Sequence, residues 1–232
     1  MLYLILAIVC SALIAIIMRL SARTVTANIS MLAANYITCL LLAAGYAGFQ
    51  IFPLHAPGFS SAVGMGAVNG VLYLLGFVLA VGAVILINYR KGTSFSGFKL
   101  TLVLNLLASG CGDAMSKIFE VYGPESYANQ FLFYTFASAL LLCIVLILSK
   151  KERPDMHALL FGVLVGIPNF FSAKFLLMAL ERLPAVIVYP TFSVATILMV
   201  TLAGIGLFKE RLRKNQWIAL AIILAALILL NI

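Results

Sequence analysis

The amino-acid sequence predicts an all-α polytopic membrane protein, a helical bundle of about eight transmembrane helices with no soluble domain. Three observations carry this expectation. First, 64% of the 232 residues are apolar and 9% are charged, with a mean hydropathy of +1.17, whereas a soluble domain is about half apolar and about a quarter charged. So few polar residues cannot cover a water-facing surface, while in lipid apolar surface matches the solvent and charge is costly. Second, the apolar residues gather into runs long enough to cross a hydrocarbon core, each bounded by charge, Pro or Gly. Third, no run alternates as a barrel strand would, so helices remain the way to satisfy every backbone group in lipid.

The runs cover 2–20, 28–50, 62–88, 99–120, 127–148, 157–180, 184–208 and 215–231. The first lacks a basic leading segment and reaches Arg19 without a cleavage site, so it reads as a retained span. Between the second and third runs, Pro53, His55, Pro57 and Gly58 mark a turn-rich loop. The third run has 27 residues, roughly 40 Å at about 1.5 Å per residue, which is long for a core of about 30 Å unless the helix tilts. The sixth and seventh runs carry Pro168 and Pro190, which free backbone carbonyls inside a span.

The net charge of +8 sits in short basic clusters between apolar runs. That distribution marks membrane orientation, and the chain has no basic, aromatic-interleaved face for nucleic acid. Twelve of the fifteen basic residues lie at the odd-numbered connections: Arg19, Arg23, Arg90, Lys91, Lys99, Lys150, Lys151, Arg153, Lys209, Arg211, Arg213 and Lys214. The even connections hold Lys117 and Arg182. Odd connections are therefore expected on the cytoplasmic side and both termini outside. The cysteines Cys10, Cys39, Cys111 and Cys143 lie within apolar runs and read as small buried residues rather than disulfide or zinc partners. His55 and His157 belong to no hydrolase or metalloprotease motif, and no nucleotide-binding loop is present. No catalysis, cofactor or metal is expected.

The chain also repeats itself. Residues 4–19 align with 102–117, placing Ser11 on Ser109 and Arg19 on Lys117, and Ala27-Asn28 then aligns with Ala128-Asn129. Because the two copies enter the membrane from opposite sides, they form an inverted repeat, a construction typical of secondary transporters. The first repeat, 1–89, has three spans and the second, 99–232, has five. The start of the third run resembles the sixth run and its end resembles the last, so two helices are expected to be missing between Ala80 and Val81. Close helix packing is expected at two small-xxx-small pairs, Gly66/Gly70 and Gly162/Gly166.

The second half resembles the closing repeat of the drug/metabolite transporter superfamily, the EamA-like proteins. The resemblance rests on the Ala179-Leu180 pair before a short turn and on the Pro-containing span after it. The Glu210-Arg211-Leu212 connection and the Gln216-Trp217 opening of the last helix complete the order. It implies a carrier of small organic molecules in a bacterial cytoplasmic (inner) membrane, with a central cavity between two five-helix inverted repeats. The expected partners are a small-molecule solute and the lipid bilayer. The short first repeat leaves three readings open: a natural short form, a shortened chain, or a homodimer. It also leaves open a non-transporting scaffold or assembly subunit. Small multidrug relatives use an acidic residue in their first helix to exchange protons for cationic drugs. The equivalent here is Ala15, which argues against that mechanism.

Lys174, within the sixth run, reads either as the counter-ion of an anionic substrate or as a snorkelling or structurally paired lysine. Asn169 lies beside Pro168 and Tyr189 beside Pro190, where freed carbonyls and polar side chains suit a midplane binding site or a packed kink. Asn35, Asn69 and Asn105 lie deep in apolar runs, where interhelical hydrogen bonding is the default and cavity lining the sharper reading. Lys174, Asn169, Tyr189, Asn105 and Asn35 are thus the candidate substrate-binding residues. Asp113, four residues before Lys117 on one helix face, reads as that lysine's ion-pair partner or as the coupling residue.

Overall fold

In a computed structural model the described residues are 1–22, 24–25, 27–48, 60–72, 75, 95–123 and 125–209. They are helical, as lipid requires of a backbone without water partners. The helices are α1 (Leu2–Ser21), α2 (Asn28–Ala47), α3 (Ser60–Leu72), α4 (Phe95–Tyr122), α5 (Ala128–Lys150), α6 (Met156–Leu180) and α7 (Ala185–Gly206). A 3₁₀ turn, Glu125–Tyr127, precedes α5. Five of them, α1, α2, α5, α6 and α7, are long and apolar enough to cross a bilayer by length and composition. Apart from the far end of α3, the limits agree with the expected runs to within a few residues; among the described helices α4 is the longest, at 28 residues. Most of the third run beyond Leu72, the supposed joint at Ala80, Glu210 and the eighth run lie outside the described residues.

The helices fall into two compact units. The first contains residues 1–39 and 153–232, the second 40–152. In the first, α1 packs along α6 and α7. Leu4, Ala7, Ile8, Leu176, Ala179, Leu180 and Val188 form one cluster there. A second cluster joins Val25, Ala27 and Met31 to Ala158 and Val165. The outward face of α6, by contrast, is apolar and exposed at Leu159, Leu160, Val163, Leu164 and Ile167, as a lipid-facing stripe should be. Despite Pro168 and Pro190, α6 and α7 run on as helices.

Glycine pairs bring two helix pairs into backbone contact. A Cβ on Gly162 of α6 would lie 2.5 Å from both the Ala34 Cβ and the Met31 carbonyl of α2. One on Gly166 would lie 2.5 Å from the Thr38 Cβ and 2.8 Å from the Asn35 carbonyl. In the second unit, a Cβ on Gly66 of α3 would lie 2.6 Å from the Phe131 carbonyl and 2.9 Å from the Tyr134 Cβ of α5. At Gly70 the obstacles would be the Ser138 hydroxyl and the Thr135 carbonyl. Small residues serve here as expected: without them the backbones cannot approach.

The two crossings share a register. The buried positions Ser30, Met31, Leu32, Asn35, Tyr36, Cys39 and Ala43 of α2 recur on α5, 100 residues later, as Gln130, Phe131, Leu132, Thr135, Phe136, Ala139 and Cys143. Ala62, Gly66, Asn69 and Gly70 of α3 recur on α6, 96 residues later, as Ala158, Gly162, Val165 and Gly166. The α2–α5 register differs by one residue from the match of Ala27-Asn28 to Ala128-Asn129. A two-residue identity at a helix start is easily displaced, whereas burial follows the packed face.

Replacing Gly162 or Gly66 by Ala inserts a methyl group against a neighbouring backbone. Each variant should lose about 1–3 kcal/mol, read as a lower unfolding midpoint in mixed micelles. Ala at Gly64, whose Cβ would meet nothing within 4 Å, should leave the midpoint unchanged.

Candidate functional site: a buried amide pair at the α2–α6 crossing

The α2–α6 crossing holds two of the candidate residues. Asn35 sits on the face of α2 that Gly162 and Gly166 approach, 3% exposed. Asn169 lies one turn beyond Gly166 on α6 and donates from Nδ2 to Asn35 Oδ1 at 3.1 Å. The Cys39 thiol, a turn along α2, shares its one proton between the Gly166 carbonyl at 3.2 Å and Asn35 Oδ1 at 3.6 Å. Two donors thus converge on one amide oxygen inside a backbone-close crossing. This satisfies a group whose burial alone would cost about 1–3 kcal/mol. Pro168 lies between Gly166 and Asn169 and removes the donor that the Leu164 carbonyl would otherwise receive.

Further along α6, Ser172 donates to the Ala7 carbonyl of α1 at 3.1 Å, a second polar tie between helices. Lys174 is not part of the amide pair. Five residues separate it from Asn169, about 140° around the helix. It continues the spacing of Leu160, Val163 and Ile167, on the outward face. Its Nζ lies 5.9 Å from the Phe170 ring centroid, one turn back toward the middle of α6. Phe170 leads through Phe171 and Phe175 to Tyr3 by ring contacts of 5.4, 5.7 and 6.3 Å. The Arg182 guanidinium stands 5.2 Å over Tyr3. An aromatic ladder with a cation at each end therefore runs along the C-terminal part of α6. Tyr189 packs on the α1–α6–α7 cluster.

In the second unit, Asp113 is exposed on α4 and Asn105 lies in the same helix; the Asn105 side chain lies outside the described residues. Lys117 pairs with Glu120, three residues on, a partner that its four-residue spacing from Asp113 does not suggest. At the α3–α5 crossing, Asn69 is 1% exposed and donates from Nδ2 to Thr135 Oγ1 at 3.4 Å. Thr135 donates in turn to the Phe131 carbonyl at 2.8 Å. The structure thus brings Asn35 and Asn169 together and gives Asn69 an interhelical partner. Lys174 and Tyr189 have surroundings of their own. Sequence reasoning missed Cys39 and Thr135. The signal that would have found both is their place, one turn from Asn35 or 100 residues beyond it.

If the amide pair ties α2 to α6, Asn35→Ala and Asn169→Ala should be non-additive. A double-mutant cycle in micelles should give a coupling of about 0.6 kcal/mol, and at most about 1.7 kcal/mol.

An uncharacterized protein of Haemophilus influenzae is 25% identical over 160 residues, which are 66% of this chain and 54% of that protein. The chain thus spans about half the length of this relative. No solved structure matches. The EamA-like transporter family matches residues 95–232, more than half of the chain, and the chain belongs to that family.

Proposed function

We propose that this protein is a secondary transporter of small organic metabolites or drugs, working by efflux or exchange and by alternating access. It would have eight membrane crossings, arranged as a three-plus-five inverted repeat. The observation that carries the reading is reciprocal: α2 pairs with α6 through the same glycine register by which α5 pairs with α3. Two repeats that exchange helices in this way supply the two bodies that rocking about a central site requires. This reading takes the first repeat to be shortened by two helices. The same shortening favours the second reading, a non-transporting scaffold or an inactive short form. A homodimer is the arrangement that would restore the missing spans.

In the carrier, Lys174 is the counter-ion for an anionic group of the solute. What supports this role is that a charge inside a span is costly unless it meets a partner, a ligand or water. Asn169, Asn35, Asn105 and Tyr189 belong to the binding region, and Asp113 is the coupling residue. The protein lies in a bacterial cytoplasmic membrane with both termini outside, and no nucleic acid, cofactor or enzymatic step enters the cycle.

Proteoliposomes loaded with a panel of small carboxylates decide between carrier and scaffold. A carrier should release at least one solute faster than protein-free vesicles, and a folded protein that moves none contradicts the reading. Lys174→Met should slow that release by about tenfold or more, the worth of one charge-assisted hydrogen bond. Unchanged release would remove Lys174 from the site. Reporters fused to either terminus should be active only outside the cytoplasm.

A further inference from the structure

The first unit is built alike at its two ends and charged differently. Leu4, Ala7 and Ile8 of α1 pack with Leu176, Ala179 and Leu180 of α6 and Val188 of α7. Ile14, Ile17 and Met18 pack beside Ala158 and Phe161. α1 and α6 are therefore antiparallel, and the last turn of α1 lies beside the first turns of α6. At the one end the Arg182 guanidinium stands 5.2 Å over Tyr3, and Glu181 precedes it. At the other the Arg19 guanidinium stands 4.5 Å over Phe208, and Lys209 follows that ring. An arginine on an aromatic ring thus marks each end. Its neighbour in the chain is a carboxylate at the first, and a second cation adjoins the ring at the second.

Lys209 sits in a conformation that a side chain disfavours. Its φ is +52°, in the left-handed region that glycine enters freely and other residues enter at a cost. Lys151, directly after α5, has φ +51°. Helices often end through such a residue, and glycine is the usual choice. Glycine would make either turn with less strain, but it would bring no ammonium. Around the two cations the surface is apolar. Leu20 follows Arg19, Leu202 and Leu207 precede Lys209, and all three are exposed, as are Arg19 and Lys209. From α6, Arg153, Asp155 and His157 lie at the same end. In sequence the chain continues through Glu210 to Arg211, Arg213 and Lys214.

We propose that the end of α1 and α7 around Phe208 is a docking surface for an anionic phospholipid. Arg19 and Lys209 meet its phosphodiester, and Leu20, Leu202 and Leu207 lie against its acyl chains. A guanidinium that stacks by its face keeps its N–H fork in the plane, a geometry that suits phosphate oxygens. Anionic headgroups attract basic residues at a membrane surface. The exposed leucines select a lipid over a free phosphate ester. The surface serves the protein whether or not it moves a solute.

The test uses the full chain in neutral-detergent micelles with added phosphatidylglycerol. Phosphatidylcholine at the same mole fraction is the control, and glycerol 3-phosphate supplies the headgroup chemistry without acyl chains. Phosphatidylglycerol should raise the unfolding midpoint by about 2 °C or more over phosphatidylcholine, and glycerol 3-phosphate should leave it unchanged. Arg19→Gln should lose about half of that shift or more. Lys209→Gly should do the same, while unfolding at or above the wild-type midpoint in phosphatidylcholine. Arg182→Gln removes the same charge and the same kind of ring contact at the opposite end, and it should keep the full shift. An equal response to both lipids, or one to glycerol 3-phosphate as large as to phosphatidylglycerol, would overturn the assignment. So would an equal loss in Arg182→Gln, because the attraction would then be one of net charge. A Lys209→Gly variant less stable than the wild type in phosphatidylcholine would also overturn it, because the lysine would then be structural.

Discussion

Backbone-to-backbone contact at two glycine-lined crossings is the constraint on which the rest of the structure depends. In lipid, helices gain little from hiding apolar surface against one another, because the solvent is equally apolar. What holds them is dispersion at short range and the few polar groups that find partners across the interface. Gly162 and Gly166 let α6 reach the Met31 and Asn35 carbonyls of α2, and Gly66 and Gly70 do the same for α3 against α5. Once the backbones are that close, a short side chain such as asparagine or cysteine spans the gap. The amide pair at Asn35 and Asn169 is a consequence of the glycines as much as an addition to them.

The same closeness explains which polar groups are settled and which are not. Asn35 Oδ1 lies within reach of both Asn169 and Cys39, because Cys39 is one turn along α2 and Asn169 is one turn beyond Gly166. At the corresponding place in the second unit, threonine replaces Asn35 and asparagine replaces Val165. One bond of 3.4 Å then joins the helices, and the amide oxygen has no donor among the described residues. The two crossings share a packing register and differ in chemistry. That is the expected course when backbone contact fixes geometry and individual side chains carry specificity.

Much of the fold was legible in the sequence. Helix limits followed from apolar runs and their boundaries, because the bilayer allows little else. The glycine pairs were readable from spacing alone, and so was interhelical bonding by Asn35 and Asn69, since an amide in hydrocarbon must find a partner. The partners themselves were not legible, because i, i+4 spacing describes one helix and says nothing of the helix across from it. Lys117 shows the limit: spacing offered Asp113, and the structure pairs it with Glu120. Lys174 and Asn169 were both candidates on one helix, and the five residues between them turn them about 140° apart. The correspondence of 4–19 with 102–117 rests on weak identity in an apolar background, and the shared register of the two crossings needed the pattern of burial.

The central claim is that each unit is organised by the same crossing, and its most direct measurement is an experimental structure of the chain in a lipid nanodisc. The quantities to read are the Asn169 Nδ2 to Asn35 Oδ1 separation and the approach of Gly66 to Thr135. The account predicts an amide hydrogen bond near 3.1 Å at the first place. At the second it predicts α3 and α5 in backbone contact, with Thr135 at the position that Asn35 holds in the other unit. Helices α2 and α6 separated by intervening side chains, or an α3–α5 crossing in a different register, would contradict it.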